Sequence, residues 1–501
     1  MSAYPPSKNS QLGIVGKWLL YSMLIIGILM VGISPTNGQL SQDKSRLNIL
    51  LITADDLGLQ LGCYGDTIAH TPHLDALAQQ GVLFENAYVT QASCSPSRSS
   101  MLTGLYPHQN GQIGLSHRGY QMYDSIRTLP QLLKVQGYTN AIIGKLHVEP
   151  ATHFPFDYAN TDARKTRDVA EVAAQAETFM DTVSHPFFLM VNYFDPHVQL
   201  IPQVEGIPET PYTAGEVRAF PFQQVDTPTE LVRIANYYSC VERLDAGIGM
   251  LMEALAKSGK ANRTLVIFLG DHGPPFVRAK TNCYEAGLKV PFLVRWPNKP
   301  ASKFSGFVNA NDIVPTALDA AQAAIPGYLP GSSLQPIADK LPFEDRPYLF
   351  GEFTAHAPQL FYPMRSVRDQ RYKLIVNYLS EKPFPSLTVD GDPAWKEAQR
   401  EKFAGTQIRE VFNRYEHRPP LELYDLDNDP QEFVNLANNP ADQPVIRRLQ
   451  NALIQWQQQT YDPLLDSLQF VRMIRVHQDI IAKSDKNPDY KPQAPILWED
   501  Y

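Results

Sequence analysis

Four stretches of this chain end in side chains able to bind a cation, hold an anion or move a proton. Asp55 and Asp56 follow Asn48-Ile-Leu-Leu-Ile-Thr53. Lys145 and His147 follow the run from Tyr138 to Gly144. Asp195 and His197 follow Phe187-Phe-Leu-Met-Val-Asn-Tyr-Phe194, and Asp271 and His272 follow Thr264-Leu-Val-Ile-Phe-Leu269. Adjacent carboxylates repel, and a divalent cation removes that cost. Taken alone, a strand-end turn accounts for Asp55-Asp56 equally well, and a single histidine after a strand is an ordinary capped residue. Four recurrences of one arrangement are harder to assign to structure. A fifth feature is Cys94, which lies in the hydroxyl-rich segment Ser93 to Ser100 rather than in an apolar one.

The elements that carry these residues follow from their patterning. Short runs apolar on both faces predict buried parallel strands. Ligands of open α/β sheets bind beyond the carboxyl ends of the strands. One site is therefore expected, built from residues more than two hundred positions apart. Between the strands lie helical patterns, such as the one capped by Thr71 with Pro72 in its first turn, Leu74 and Leu77 on one face and Gly81 beyond its end. After about residue 345 the pattern changes. Tyr348 to Phe353, Met364 to Arg368, Tyr372 to Tyr378 and Leu421 to Asp425 read as short strands of an antiparallel sheet, with a hairpin turn at Asp369-Gln370. Val445, Ile446, Leu449, Ala452, Leu453 and Trp456 recur at helical spacing and predict a helix covering that sheet. From about Lys483 the tail is rich in Pro and charge and is expected to be extended.

Composition bounds the function. The 501 residues carry a net charge of −8, with 44% hydrophobic and 19% charged residues. Such a chain is too apolar for disorder and lacks the basic balance of a general nucleic-acid binder, although an acidic protein can still hold a locally positive pocket. Trp18 to Ile33 is an apolar run preceded by Lys8 and Lys17, with small residues at Thr36 and Gly38. It reads as a signal peptide over 1–38, the alternative being an uncleaved N-terminal anchor. Either places the folded part outside the cytoplasm: periplasmic, cell-surface or secreted. Cys63, Cys94, Cys240 and Cys283 are too few for a disulfide scaffold and have no zinc-site spacing. One bridge is compatible with the count, and nothing selects its pair.

Cys94-Ser-Pro-Ser-Arg98 with Leu102-Thr103-Gly104 fits C-x-P-x-R-x-x-x-L-T-G at every specified position. On this motif the sequence resembles the type I sulfatases. The resemblance implies an α/β, alkaline-phosphatase-like sandwich with a central, mostly parallel sheet flanked by helices (45–345) and a smaller C-terminal α+β part with an antiparallel sheet (346–482), followed by the tail 483–501. It implies that Cys94 is oxidised to formylglycine by a formylglycine-generating enzyme. It further implies one Ca²⁺ per chain, held by Asp55, Asp56, the residue at Cys94, Asp271 and His272. His272 stands where Asn is commoner, and imidazole is the softer ligand. Arg98 would stabilise the aldehyde hydrate and sulfate, Lys145 would bind sulfate, His147 would assist the nucleophile, and His197 would bind sulfate and serve as leaving-group acid. Lys280 is the implied further sulfate ligand, with Lys289 as the fallback.

The chemistry agrees with this set. Sulfate-ester hydrolysis needs a nucleophile at sulfur, positive charge around the sulfuryl oxygens and an acid for the leaving group. A hydrated aldehyde attacks with one hydroxyl and expels sulfate with the other, which a serine cannot do. Gly104-Leu-Tyr-Pro-His-Gln-Asn-Gly111, Pro155-Phe-Asp157, Asp195-Pro-His197, Tyr362-Pro-Met-Arg-Ser-Val367 and Pro383-Phe-Pro385 resemble the heparan N-sulfatase subgroup. That likeness gives Asp195 a sugar contact and implies N-sulfated glucosamine as substrate. A sugar-reading Glu of the small-domain loop is replaced by Ala357, beside His356, which is taken as a substrate-binding candidate. The competing readings are an O-sulfatase on another polysaccharide and a formylglycine-dependent phosphonate or phosphodiester hydrolase. A two-zinc phosphatase would need a Thr or Ser nucleophile and a second metal set, and a dead glycan-binding protein would not keep the complete set of reactive residues. Homodimerisation is left open.

Overall fold

The computed structural model describes residues 46–161 and 166–486. The apolar run at 18–33 lies outside them, as does the tail beyond Lys486. Eight strands form the larger sheet: β1 (Asn48–Ala54), β2 (Val82–Tyr88), β3 (Thr139–Gly144), β4 (Tyr158–Asn160), β5 (Phe187–Tyr193), β6 (Thr264–Gly270), β7 (Phe292–Arg295) and β8 (Ser302–Asn309). Their order is β4-β3-β5-β1-β6-β7-β2-β8. Only β7 runs against its neighbours. The four strands read from the sequence, β3, β5, β1 and β6, are therefore consecutive and parallel, so their carboxyl ends line up at one edge.

Both faces of β1 are covered. Ile49 and Leu51 join one core, with Met101 and Leu102 of the helix Cys94–Thr103 and with Leu129, Ile313 and Val314. Leu50, Ile52 and Ala54 join the other, with Val172, Phe179, Ile234 and Leu244 from the helices Val169–Thr182 and Pro228–Lys257. Burial on both sides explains why these strands are continuously apolar rather than alternating. The helix Pro72–Ala78 starts after Thr71 as expected, but the Thr71 hydroxyl makes no cap. It accepts from the Gly62 N–H at 2.9 Å instead, tying down the loop after β1.

The smaller sheet holds β9 (Leu349–Ala355), β10 (Phe361–Arg368), β11 (Tyr372–Asn377) and β12 (Leu421–Asp425), all antiparallel in the order β12-β11-β10-β9. The helix Gln443–Gln459 lies on it, burying Ile446, Leu449, Leu453 and Trp456 against Val367, Leu374 and Leu423. The turn between β10 and β11 spans three residues rather than two, because Asp369 Oδ1 accepts from the Arg371 and Tyr372 N–H groups. The extended tail expected from Lys483 is corrected over its first residues. A helix runs through Ser467–Lys486, anchored by buried Met473, His477 and Ile480 on one face. His477 stacks on Phe361 and meets the Tyr120 hydroxyl at 2.9 Å. All four cysteines are unpaired. Among the described residues no helix is long and apolar enough to cross a membrane.

Gly144 ends β3 with φ 93°, in the region that favours glycine, and a Cβ there would run into the carbonyl of Asn192 on β5. Gly144→Ala is expected to destabilise the protein by more than about 1 kcal/mol, read as a lower midpoint in denaturant. An unchanged midpoint would show that the β3–β5 contact relaxes freely.

Candidate active site

Cys94 is the first residue of the helix Cys94–Thr103, every residue of which is buried. Ser93 before it is extended, Pro96 sits in the first turn, and Gly104 closes the end at φ 73°. A wholly buried helix this polar requires its hydroxyls to be satisfied. Thr103 bonds to the Ser99 carbonyl at 2.7 Å, Thr90 to Ser100 at 2.7 Å, and Ser97 to the Asp271 carbonyl. The helix thus presents its positive end, with residue 94 on it, to the strand ends.

One turn further on, Arg98 is completely buried and reaches all four strand ends. Its Nε donates to Asp271 Oδ2 at 3.0 Å after β6. Its Nη1 donates to Thr53 Oγ1 (3.2 Å) on β1, to the Lys145 carbonyl (3.2 Å) after β3 and to Asn192 Oδ1 (3.0 Å) on β5. Its Nη2 faces Asp55 Oδ1 at 3.4 Å.

Asp55, Asp56, Asp271 and His272 have no solvent exposure. Asp56 is held at φ 66°, and its N–H donates to Asp271 Oδ1 at 2.9 Å. His272 donates from Nδ1 to the Gly273 carbonyl at 2.8 Å. In the neutral ring this leaves the Nε2 lone pair facing Asp56 Oδ1 at 3.1 Å and Cys94 Sγ at 3.4 Å. Acceptors pointed at acceptors are what a cation would satisfy. The buried Asp55 Oδ1 has no hydrogen-bond donor. Donor atoms of Asp55, Asp56, Cys94 and His197 converge within 4.8 Å of one another, as do those of Cys94, Asp271 and His272. These oxygen and imidazole donors fit a divalent metal. Lys145 balances Asp55 at 2.6 Å, and Lys280 meets both oxygens of Asp56 at 3.0 Å. Burial opposes the ionisation of Asp55, but Lys145, His197 and Arg98 outweigh it and hold its pKa well below the usual range. Burial pushes the Cys94 thiol up.

Above this floor opens a cleft of about 380 Å³, lined by Cys94, His117, Arg118, His147, His197, Lys280, His356, Ala357 and Asp390 among others. His197 donates from Nδ1 to the Val198 carbonyl at 2.6 Å, and its Nε2 lies 3.9 Å from Asp56 Oδ2. Burial works against its charged form, but Asp56 and Asp55 prevail and lift it to about 9. Burial, then Lys145 and His117, push His147 well below its ordinary value. His356 is lowered by burial and by Lys280, and its Nδ1 meets the Ser93 hydroxyl at 2.9 Å.

The structure brings Cys94, His147, His197, Lys280 and His356 to the cleft wall, with Asp55, Asp56, Asp271, His272, Lys145 and Arg98 behind it. Two expectations are corrected. Lys289 is not in this site: its ammonium meets Asn86 at 2.9 Å and lines a different cleft. Asp195 does not face the cleft either. It is 1% exposed, and its carboxylate is taken by Arg167 and, bidentately, by Arg243 at 2.7 and 2.9 Å. Arg167 also donates to the His197 carbonyl at 2.8 Å, so Asp195 fixes the loop that carries His197. Asp390, His117, Arg167 and Arg243 escape a reading by sequence. Asp390 pairs with Lys280 from a loop of the C-terminal part, at φ 49°, and only its small polar neighbours marked that loop.

The sulfatase family model matches residues 47–323, and that of the N-sulphoglucosamine sulphohydrolase C-terminal region matches 270–410. Human N-sulphoglucosamine sulphohydrolase is 35% identical over 460 residues, covering 83% of this chain and 91% of the relative. An ulvan-active sulfatase of Formosa agariphila is 31% identical, over 85% of this chain and 82% of its own. Among solved structures, the phosphonate monoester hydrolase of Agrobacterium radiobacter superposes with a TM-score of 0.65 at 19% identity, over 83% of this chain and 96% of that one.

Asp195→Ala would leave two buried guanidiniums without their shared counter-ion, a change expected to cost about 3–5 kcal/mol. Thermal unfolding would show a clearly lowered midpoint, whereas a residue acting only as a ligand contact would leave the midpoint in place.

Proposed function

Since the chain belongs to the sulfatase family and hydrolyses sulfate esters or sulfamidates of glycans, we propose that it removes the N-sulfate of terminal glucosamine in heparin or heparan sulfate. The observation that carries this reading is residue 94, presented by a buried helix end to a cluster of metal-type donors under a cation-walled cleft. Support for the sugar comes from the 35% identical N-sulphoglucosamine sulphohydrolase and from the second family match. Residue 94 acts as formylglycine, whose hydrate supplies one hydroxyl to attack sulfur and another to expel sulfate. Asp55, Asp56, Asp271 and His272 would hold one Ca²⁺, which supplies positive charge beside the sulfuryl oxygens. Lys280 and Lys145 add fixed positive charge on either side. His147 takes the proton of the nucleophile, and His197, oriented through its Nδ1, gives one from Nε2 to the departing nitrogen. Residues 1–38 serve as an export signal, and the two sheets support a catalytic part at 45–345 with a C-terminal part at 346–482.

One observation favours a second reading, an O-sulfatase on another polysaccharide. Asp195 is withdrawn from the cleft and Ala357 lines it, so two of the contacts implied for N-sulfated glucosamine are missing.

Sulfate release from defined heparin saccharides separates these readings. N-sulfated glucosamine should be the faster substrate, and release only from 6-O-sulfated glucosamine would select the O-sulfatase. Mass spectrometry should find residue 94 lighter than cysteine by the thiol-to-aldehyde difference, and an unmodified Cys94 in fully active protein would end the mechanism. A chelator should abolish activity, with about one divalent metal per chain restoring it. His197→Ala should lower kcat on the glycan by roughly 10²–10⁴-fold and much less on an aryl sulfate, whose phenolate leaves unaided. Equal losses on both would reduce His197 to a sulfate ligand.

A further inference from the structure

His147 is not the end of its hydrogen-bonded chain. Its Nε2 lies 2.8 Å from Nδ1 of His117, and the two rings stack with centroids 5.0 Å apart and planes 17° from parallel. His117 is exposed at the mouth of the cleft, on the short turn Ser116–Arg118. The other nitrogen of His147, Nδ1, is buried without a hydrogen-bond partner, in the cleft that residue 94 also lines. His147 itself is held at φ 58° just after β3. A non-glycine residue persists in that region only where its surroundings fix it.

We propose that His117 is a positioning and proton-relay residue, connecting His147 at the reacting centre to solvent at the cleft mouth. The inference rests on reading His147 as the group that takes the nucleophile's proton. Two neutral imidazoles joined through Nε2 and Nδ1 share one proton between those atoms, so the state of one ring dictates that of the other. With the shared proton on His147 Nε2, Nδ1 is free to accept. As a hydroxyl on residue 94 gives its proton to Nδ1, the Nε2 proton passes to His117 Nδ1, and the His117 Nε2 proton leaves to water. One proton enters and one leaves, and both rings stay neutral. Once product has left and water fills the cleft, the reverse transfers restore the starting tautomers. Charged and titratable groups facing the pair include Lys145, Asp55 and Arg98 around His147 and His356 toward His117, with Arg118 lining the same cleft. A permanent charge on His147 beside Lys145 and Arg98 would be unfavourable, which gives a relay its use.

The test compares His117→Gln, His117→Ala and His147→Ala on whichever sulfated saccharide the unaltered enzyme turns over fastest. His117→Gln keeps a hydrogen-bonding group but cannot carry a proton. It should lower kcat roughly tenfold, below the ~10²-fold or more that loss of the base itself costs, with KM unchanged. Added imidazole should restore kcat in His117→Ala and leave the unaltered enzyme alone, a rescue that a merely structural role would not show. Ring-¹⁵N spectra of the resting enzyme should find His147 Nδ1 unprotonated. A protonated Nδ1, an unchanged kcat in both His117 variants, or a loss that imidazole does not reverse overturns the relay. Full activity in His147→Ala overturns the reading of His147 beneath it, an outcome distinct from failure at His117 alone.

Discussion

A single buried guanidinium ties together the strand ends that carry the candidate site. Arg98 is bonded at once to groups on or just after β1, β3, β5 and β6. An arginine buried this deeply persists only where its charge is met: Nε and Nη1 are bonded to groups at four consecutive parallel strands, while Nη2 faces the Asp55 carboxylate at 3.4 Å. Its position one turn after Cys94 fixes the distance between residue 94 and those strand ends. The C-x-P-x-R spacing thus has a mechanical reading: arginine sets the helix in place, and the helix delivers residue 94. Arg98 itself has no solvent exposure and lies behind the cleft wall.

The same constraint shows in the backbone. Asp56, His147 and Asp390 all occupy the left-handed region, which costs a non-glycine residue of order 1 kcal/mol or more. They sit on the loops after β1 and β3 and on a loop of the C-terminal part, and each aims a side chain at the floor or wall of the cleft. Such conformations survive because neighbouring bonds over-determine them. Asp56 is held through its N–H by Asp271, His147 by the ring of His117, and Asp390 by Lys280. The smaller sheet is therefore part of the site. Its side of the molecule contributes His356, Ala357 and Asp390 to a cleft that Cys94, at the larger sheet's edge, also lines.

What was legible in the sequence follows from this division. The strands β1, β3, β5 and β6 were legible because both faces are buried, which writes a continuous apolar run, and because each ends in reactive side chains. The strands β2, β4, β7 and β8 lack that signature: β2 carries Glu85 and Asn86, β4 has three residues, β7 four, and β8 begins with alternately exposed polar residues. The floor of the site was legible because strand ends and a helix start carry it, where chain position and spatial position coincide. The wall was not, because loops supply it. Asp195 shows the limit most clearly. Its neighbours Pro196 and His197 mark it as part of a site, yet whether its carboxylate faces the cleft depends on Arg243, 48 residues away. Two guanidiniums compete for that carboxylate better than a solvated sugar hydroxyl can, since a buried charge must be paired whereas a hydroxyl loses little by staying in water. Side-chain orientation is decided by that competition, and local sequence records only one of the competitors.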